Sequence, residues 1–209
     1  MSDRGLILIG AGGHAGACID VIEQQGVYQI AGLIGTQDQL GSKHSGYPVI
    51  GTDDSLAELA SDYKYALIAV GQMRTPDSRI RLFSRANELG FRMPVIVAHD
   101  AYVSRTATVG QGTIVMHGAI INSGATVGHN CIVNSRALIE HDAIVEDSCH
   151  ISTGAILNGG VQVGAGSFVG SGSILKHGVR LGQRCIVGMG CAARKDLADN
   201  TTFTGEAYE

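Results

Sequence analysis

The stretch Asn134-Ser135-Arg136-Ala137-Leu138-Ile139-Glu140-His141-Asp142 places a histidine between two acids. A carboxylate bonded to one imidazole nitrogen fixes the tautomer and raises the basicity of the other, as a general base requires. His150 follows nine residues later. Spacing alone also allows His141 to be a surface histidine with no task. A second arrangement, Gly10-Ala11-Gly12-Gly13-His14-Ala15-Gly16, stands near the amino end. A glycine turn that follows a strand and opens a helix presents backbone N–H groups to a phosphate. It nearly matches G-x-G-x-x-A. A dinucleotide site also wants an acid at the end of the second strand. That place holds Ile34-Gly35-Thr36, and Asp38 lies too far along. Three readings stay open here: an NAD site, a purely structural turn, and a phosphate site for a nucleotide sugar.

These side chains need a scaffold that sets their spacing. From Val103 every sixth residue is a branched aliphatic (Val109, Val115, Ile121 and so on to Val187), and only the sixteenth position, Ala193, differs. Four residues after each comes a small or medium residue, such as Ala107, Thr113, Cys131 or Ala155. A period of six fits neither a helix nor a free strand; it is that of a hexapeptide β-helix. Each unit supplies one short strand and one corner, and three units close a triangular coil of eighteen residues. One coil cannot bury its own faces, so coils stack. Sixteen units make a little over five coils, a prism roughly 25 Å tall at the spacing of β layers. On this arithmetic His141 sits at or near a corner, outside the core. His150 lies half a coil away, so the two meet more easily across a subunit interface than within one prism.

Ahead of the prism, strands alternate with helices, which implies a parallel sheet. The pattern predicts strands over Gly5–Gly10, Tyr28–Ile34 and Tyr65–Gly71, with a short strand inside Gly46–Asp54. It predicts helices over Ala15–Gln25, Ser55–Leu59 and Pro76–Leu89, and a last strand over Pro94–Ala98. With three strands before the β-helix, the sheet is small for a full NAD domain. Gly71 ends its strand at the carboxyl edge, near the Gly12 turn, where open α/β sheets bind ligands. Arg79 and Arg81 read as surface residues of the following helix. The expected division is a Rossmann-like α/β domain over 1–100 and a β-helix over 101–209.

Composition narrows the function classes. Net charge is -4 and no block of Lys or Arg stands out, which argues against nucleic-acid and anionic-membrane surfaces. No apolar run reaches membrane-spanning length, and Met1 to Gly5 leads into a strand rather than a signal peptide, so a cytoplasmic protein is expected. Of five cysteines, Cys131, Cys149, Cys185 and Cys191 fall at the small interior position of the repeat, while Cys18 does not. They read as small buried residues rather than metal or redox groups.

Taken together, the β-helix, the preceding GAGGHAG turn, the NSRALIEHD stretch and HISTGAILNGGVQVG (His150 to Gly164) resemble one family. It is the bacterial sialic acid O-acetyltransferase-like and nucleotide-aminosugar N-acetyltransferase family of hexapeptide-repeat acyltransferases. The resemblance covers nearly the whole chain. It implies a left-handed β-helix, a homotrimer and acetyl-CoA as co-substrate without a metal. The implied acceptor is the 4-amino group of a nucleotide-linked amino-sugar, or a hydroxyl of sialic acid or a related sugar. It also implies roles: His141 as base, Asp142 as the acid behind it, and His150 near the acetyl thioester. Ser171 and Met189 match contacts to the CoA arm, and with Thr153 they recur every eighteen residues, which suits one vertical edge. Gly12, Gly13 and His14 match the phosphate turn, and Gly71 a further substrate contact.

The chain departs from the family pattern at three places. Gly35 stands where members that hold a uracil or thymine ring carry an acid. Asp142 stands where Glu is frequent. Phe203 to Glu209 lacks the usual G-x-P-A-K segment. The implied chemistry is direct transfer, with the oxyanion stabilised by a backbone N–H at a glycine corner near Gly159. Two other classes compete. A β-helix metalloenzyme needs three histidines converging on zinc, and the spacing gives no close pair on one rung. A non-catalytic scaffold that binds a nucleotide sugar would show no acetyl-CoA turnover.

Overall fold

The computed structural model describes residues 4–205. Strand β1 (Gly5–Ile9) sends alternate side chains to opposite faces, and both faces are covered. Leu6 and Leu8 pack with Ala15, Cys18, Ile19 and Ile22 of helix α1 (Gly13–Gln25). Ile7 and Ile9 pack on the other side with Leu56, Leu82 and Ala86. Burial on both faces explains the unbroken apolar run, as parallel sheets require. Helix α1 stops at Gly26, whose φ of 65° is left-handed and whose N–H bonds to Ile22 O.

Four more strands complete the sheet: β2 (Gln29–Ile34), β3 (Lys43–His44), β4 (Tyr47–Gly51) and β5 (Tyr65–Ile68). Their order is β3-β4-β2-β1-β5, all parallel except β3 against β4. The sheet is therefore wider than the three strands expected, because a hairpin extends one edge. Helices α2 (Leu56–Asp62) and α3 (Asp77–Glu88) flank β5 in sequence. The strand expected to finish this sheet does not join it. Strand β6 (Ile96–Val97) pairs with β9 (Ile114–Val115) and is the first rung of the prism. Its extended backbone suits either sheet, and local pattern cannot choose between them.

From β7 (Tyr102–Val103) to β22 (Ala192–Ala193), sixteen two-residue strands recur every six residues. They stack into three walls: β7 heads the first, β8 (Thr108–Val109) the second, and β6 and β9 the third. Register is i to i+18, as in Ile132↔His150 and Ile156↔Ile174. The second residue of each strand points inward, so the aliphatic series from Val115 to Val187 forms one continuous buried core. Small residues complete it, and several are polar: Thr113 Oγ1 donates to Gly128 O at 2.8 Å, and Cys131 Sγ to Glu146 O at 3.2 Å. All five cysteines are free and buried.

From Gly112 to Gly190, one corner residue in every six takes the left-handed conformation. Glycine serves at Gly112, Gly154, Gly160 and Gly178, and a polar side chain at Asn130, Arg136, Asp142, Ser148 and Arg184. Asp142, at φ 58°, is a residue type that visits this region with little cost. The last coil is shorter than the rest: Leu197, rather than Asp199, bridges Leu181.

The two halves share a core. Ile114, Met116 and Ile132, outward on the third wall, pack with α1 and with Leu6 and Leu8. This fixes the α/β sheet on the third wall of the prism.

Candidate active site

His141 follows the inward Ile139 by two residues and occupies the corner between the first and second walls. Its side chain is 54% exposed. Nδ1 lies 2.9 Å from Asp142 Oδ2. The left-handed backbone at Asp142 brings that carboxylate back onto the ring of the preceding residue. An ionised carboxylate only accepts, so Nδ1 carries the hydrogen and Nε2 keeps a lone pair. The hydrogen bond to Asp142 raises the His141 pKa above its ordinary value of 6.5, and Glu140 adds to it. Glu140 is itself held, accepting from Asn122 Nδ2 at 3.1 Å and from the His141 N–H at 3.3 Å. Above His141, one coil up, is Gly159. A Cβ there would lie 2.6 Å from His141 Nε2. The glycine therefore leaves the space the reactive nitrogen needs.

His150 is in a different setting. It faces outward from the third wall but is buried by the α/β sheet, with 7% of its surface exposed. Nδ1 donates to Gln72 O at 2.6 Å, and Nε2 accepts from Asn134 Nδ2 at 3.2 Å. Burial lowers its pKa to about 4, so it is neutral at ordinary pH. His14 lies nearby. Its pKa is lowered to about 3, by burial first and then by the charges of Arg79 and His150. Its Nε2 is buried without a hydrogen-bond partner.

Arg79 overturns its surface assignment. It is 1% exposed, and its guanidinium donates to Ile68 O, Val70 O, Asn130 O and Asn130 Oδ1 at 2.6 to 3.0 Å. Asn130 in turn donates to Ser148 Oγ at 3.1 Å. One buried cation thus ties the end of β5 to one edge of the prism, where Asn130 and Ser148 stack on successive coils. Arg81 is exposed, as expected, and pairs with Asp53 at 3.0 Å.

Gly12, Gly13, His14 and Gly71 do come together at the carboxyl edge of the sheet. Gly12 is the N-cap of α1, with no side-chain cap. Its helix N-terminus leaves N–H groups and partial positive charge facing outward. A side chain at Gly12 or Gly13 would meet nothing within 4 Å, so room exists beside both. Gly71 lies beside His14: a Cβ added there would be 3.6 Å from His14 Cβ. Beside the turn opens a cleft of about 600 Å³, whose lining includes Gly12, Gly35, Gln39, Asp53, Asp54 and Arg81. Gln39 braces it, donating to Ala11 O at 3.2 Å and accepting from Thr36 N at 3.0 Å. A Cβ at Gly35 would lie 2.8 Å from Gln39 Oε1. The carboxylates of this cleft come from Asp53 and Asp54, after β4, and not from the end of β2.

Ser171 and Met189 do line one edge with Thr153, as the ladder Gly172 N to Thr153 O and Gly190 N to Ser171 O shows. Met189 is 80% exposed. That edge joins the third and first walls, one wall away from His141. Within one chain, therefore, the His141 corner, the Ser171 edge and the glycine turn are three separate places. Sequence reasoning missed Arg79, the Asp53–Arg81 side of the cleft and His177. For His177 a signal existed, since it stands two coils of eighteen above His141. Among the described residues no group of three or more His, Cys, Asp or Glu side chains could hold a metal ion. No helix among them is long and apolar enough to cross a membrane. Residues 206–209 of the departing carboxyl segment, and residues 1–3, lie outside the described residues.

Comparison with known proteins agrees with this layout. The PglD N-terminal domain model matches residues 5–85. A mutant of perosamine N-acetyltransferase from Caulobacter crescentus, in complex with CoA and GDP-perosamine, is 30% identical over 96% of this chain and 93% of its own, with a TM-score of 0.91. The acetyltransferase domain of PglB from Neisseria gonorrhoeae, in complex with acetyl coenzyme A, is 32% identical over 96% of both chains, with a TM-score of 0.88. WeeI from Acinetobacter baumannii, at 20% identity and a TM-score of 0.84, shares the fold. No curated protein sequence matches. The three-walled prism that the repeat predicts is the left-handed parallel β-helix that the family resemblance implies. With an α/β domain of the PglD type, that prism, and near-complete overlap with relatives at 30% and 32% identity, the chain belongs to the hexapeptide-repeat nucleotide-aminosugar acetyltransferase family.

Proposed function

We propose that the protein transfers the acetyl group of acetyl-CoA to the 4-amino group of a nucleotide-linked amino-sugar, in the cytoplasm. The observation that carries this reading is the His141–Asp142 pair on an exposed corner with Nε2 left free over Gly159. In this reading Asp142 holds the far nitrogen of His141, and Nε2 takes a proton from the acceptor as it attacks the thioester carbonyl. Residues 1–100 hold the nucleotide sugar, its phosphates on the Gly12-Gly13-His14 main chain and its base in the cleft beside Asp53 and Asp54. Gly71 touches the same ligand. Residues 101–209 hold acetyl-CoA, with Ser171 and Met189 along its arm.

In one chain the base corner and the proposed CoA edge lie a wall apart. A homotrimer with sites between prisms brings such edges face to face, and this supports the trimer. His150 then acts near the thioester only where a neighbouring chain reaches its side of the prism.

The test is acetyl-CoA consumption screened against nucleotide 4-amino-sugars and against free and activated sialic acids. Turnover with the amino-sugars alone is expected. Turnover confined to sialic acids replaces this reading with sugar O-acetylation, and no turnover with any acceptor supports the scaffold.

A further inference from the structure

His141 is not the only histidine at its corner. Gly159 stands one coil above it and His177 two coils above, in the same column. The ladder Gly160 N to His141 O and Gly178 N to Gly159 O fixes the stacking. A Cβ at Gly159 would lie 2.6 Å from His141 Nε2 and also 3.1 Å from His177 Nδ1. The two ring centroids are 6.3 Å apart. Two imidazole nitrogens thus face one bare main-chain position. Among the described residues, no hydrogen bond takes up either of them. His177 is exposed, and the corner above it belongs to the shortened last coil. The charged groups around the pair are Asp142 and Glu140 at His141, Lys176 beside His177, and Lys195 in the short corner above.

We infer that His177 is a second proton acceptor for the same acceptor nitrogen, and that the site is built for an amine arriving as its ammonium ion. The inference rests on the acetyl-transfer reading and refines its substrate. An ammonium nitrogen that becomes an amide loses two protons. His177 takes the first proton, which frees the nitrogen lone pair. That pair forms the C–N bond as the thioester C–S bond breaks, and His141 takes the second proton. His141 returns its proton to the departing thiolate sulfur. His177, facing solvent, releases its proton to water. A hydroxyl acceptor has a single proton to lose and needs a single base, so the second imidazole favours an amine.

The experiment compares the pH dependence of kcat/KM for wild type and His177→Asn, with a nucleotide 4-amino-sugar as acceptor. A peptide α-amino group, a primary amine that likewise has electron-withdrawing neighbours, titrates near pH ~8 and serves as the reference. With one base left, the variant acetylates only the free amine. Its kcat/KM is expected within about threefold of wild type at pH 9 and at least about tenfold below it at pH 6.5. The melting temperature is expected to be unchanged, because the corner is exposed. A variant profile that superimposes on wild type, or is lowered equally at every pH, overturns the inference and leaves the acetyl-transfer reading standing. Wild-type turnover of hydroxyl acceptors alone overturns both.

Discussion

His141 and Gly159 carry the sharpest consequences at the scale of single residues. A general base contributes ~10²- to 10⁴-fold to rate. His141→Asn is therefore expected to lower kcat at least ~100-fold while leaving acetyl-CoA affinity nearly intact, checked by steady-state kinetics and calorimetry. Asp142→Asn is expected to cost less, since the imidazole remains. It also has a signature in pH. The base works when neutral, and the hydrogen bond to Asp142 raises its pKa above 6.5. Removing the carboxylate lowers that pKa, so the acid limb of kcat/KM shifts to lower pH in Asp142→Asn. Gly159→Ala is a separate test. The added methyl meets His141 Nε2 at 2.6 Å, and the flexible ring gives way rather than the backbone. A displacement of about 1 Å costs on the order of 10²-fold in kcat. Thermal unfolding is expected to match wild type, because nothing in the core moves.

Arg79 decides matters at the scale of elements. It joins the end of β5 to the corner at Asn130, across the seam between sheet and prism. Among the described residues no carboxylate pairs with it; carbonyl oxygens and one carboxamide oxygen accept its hydrogen bonds, and burial lowers its pKa to about 10. Arg79→Met keeps much of the volume but strands these acceptors. The loss is expected to be about 2–4 kcal/mol, read from urea unfolding. Arg79→Lys is expected to recover little of it, because an ammonium cannot reproduce the planar fork. Helix α1 is pinned by the same seam, so the glycine turn that it opens is held against the third wall.

The whole molecule responds to acid through its buried histidines. His14 and His150 are neutral in the folded chain, with pKa values lowered to about 3 and about 4 from 6.5. In the unfolded chain both take up protons near pH 6.5. Stability is therefore complete above that pH and is lost as pH falls toward 4, by about 1.4 kcal/mol per pH unit for each group. The urea midpoint is expected to fall over this window in wild type, and less steeply in His150→Gln. Assembly is the other property at this scale. Light scattering is expected to give the mass of a trimer, and a monomer at working concentration would remove the basis for sites shared between prisms.

Much of this was legible in the chain itself, for a physical reason. A β-helix is quasi-one-dimensional, so six-residue periodicity translates directly into rungs, walls and columns. The inward series from Val103, the stacking of Ser171 under Met189 and the corner position of His141 all follow from counting. Counting by eighteen also reaches His177 from His141, although a search along single rungs passes over it. The glycine turn was legible because a strand, three small residues (Gly10, Ala11 and Gly12) and a helix are contiguous.

What crosses the seam between the two halves was not. The strand Ile96–Val97 has the same local pattern whichever sheet it joins, and the third wall claims it. An arginine on an amphipathic helix is usually solvated, and only the packing of α3 against Asn130 and the end of β5 buries Arg79. His150 alternates outward from its wall, which on a free prism means solvent; the α/β sheet covers it instead. Periodicity fixes neighbours along the repeat. The partners of an outward-facing residue are set by whatever docks on that wall, and tertiary structure alone decides that.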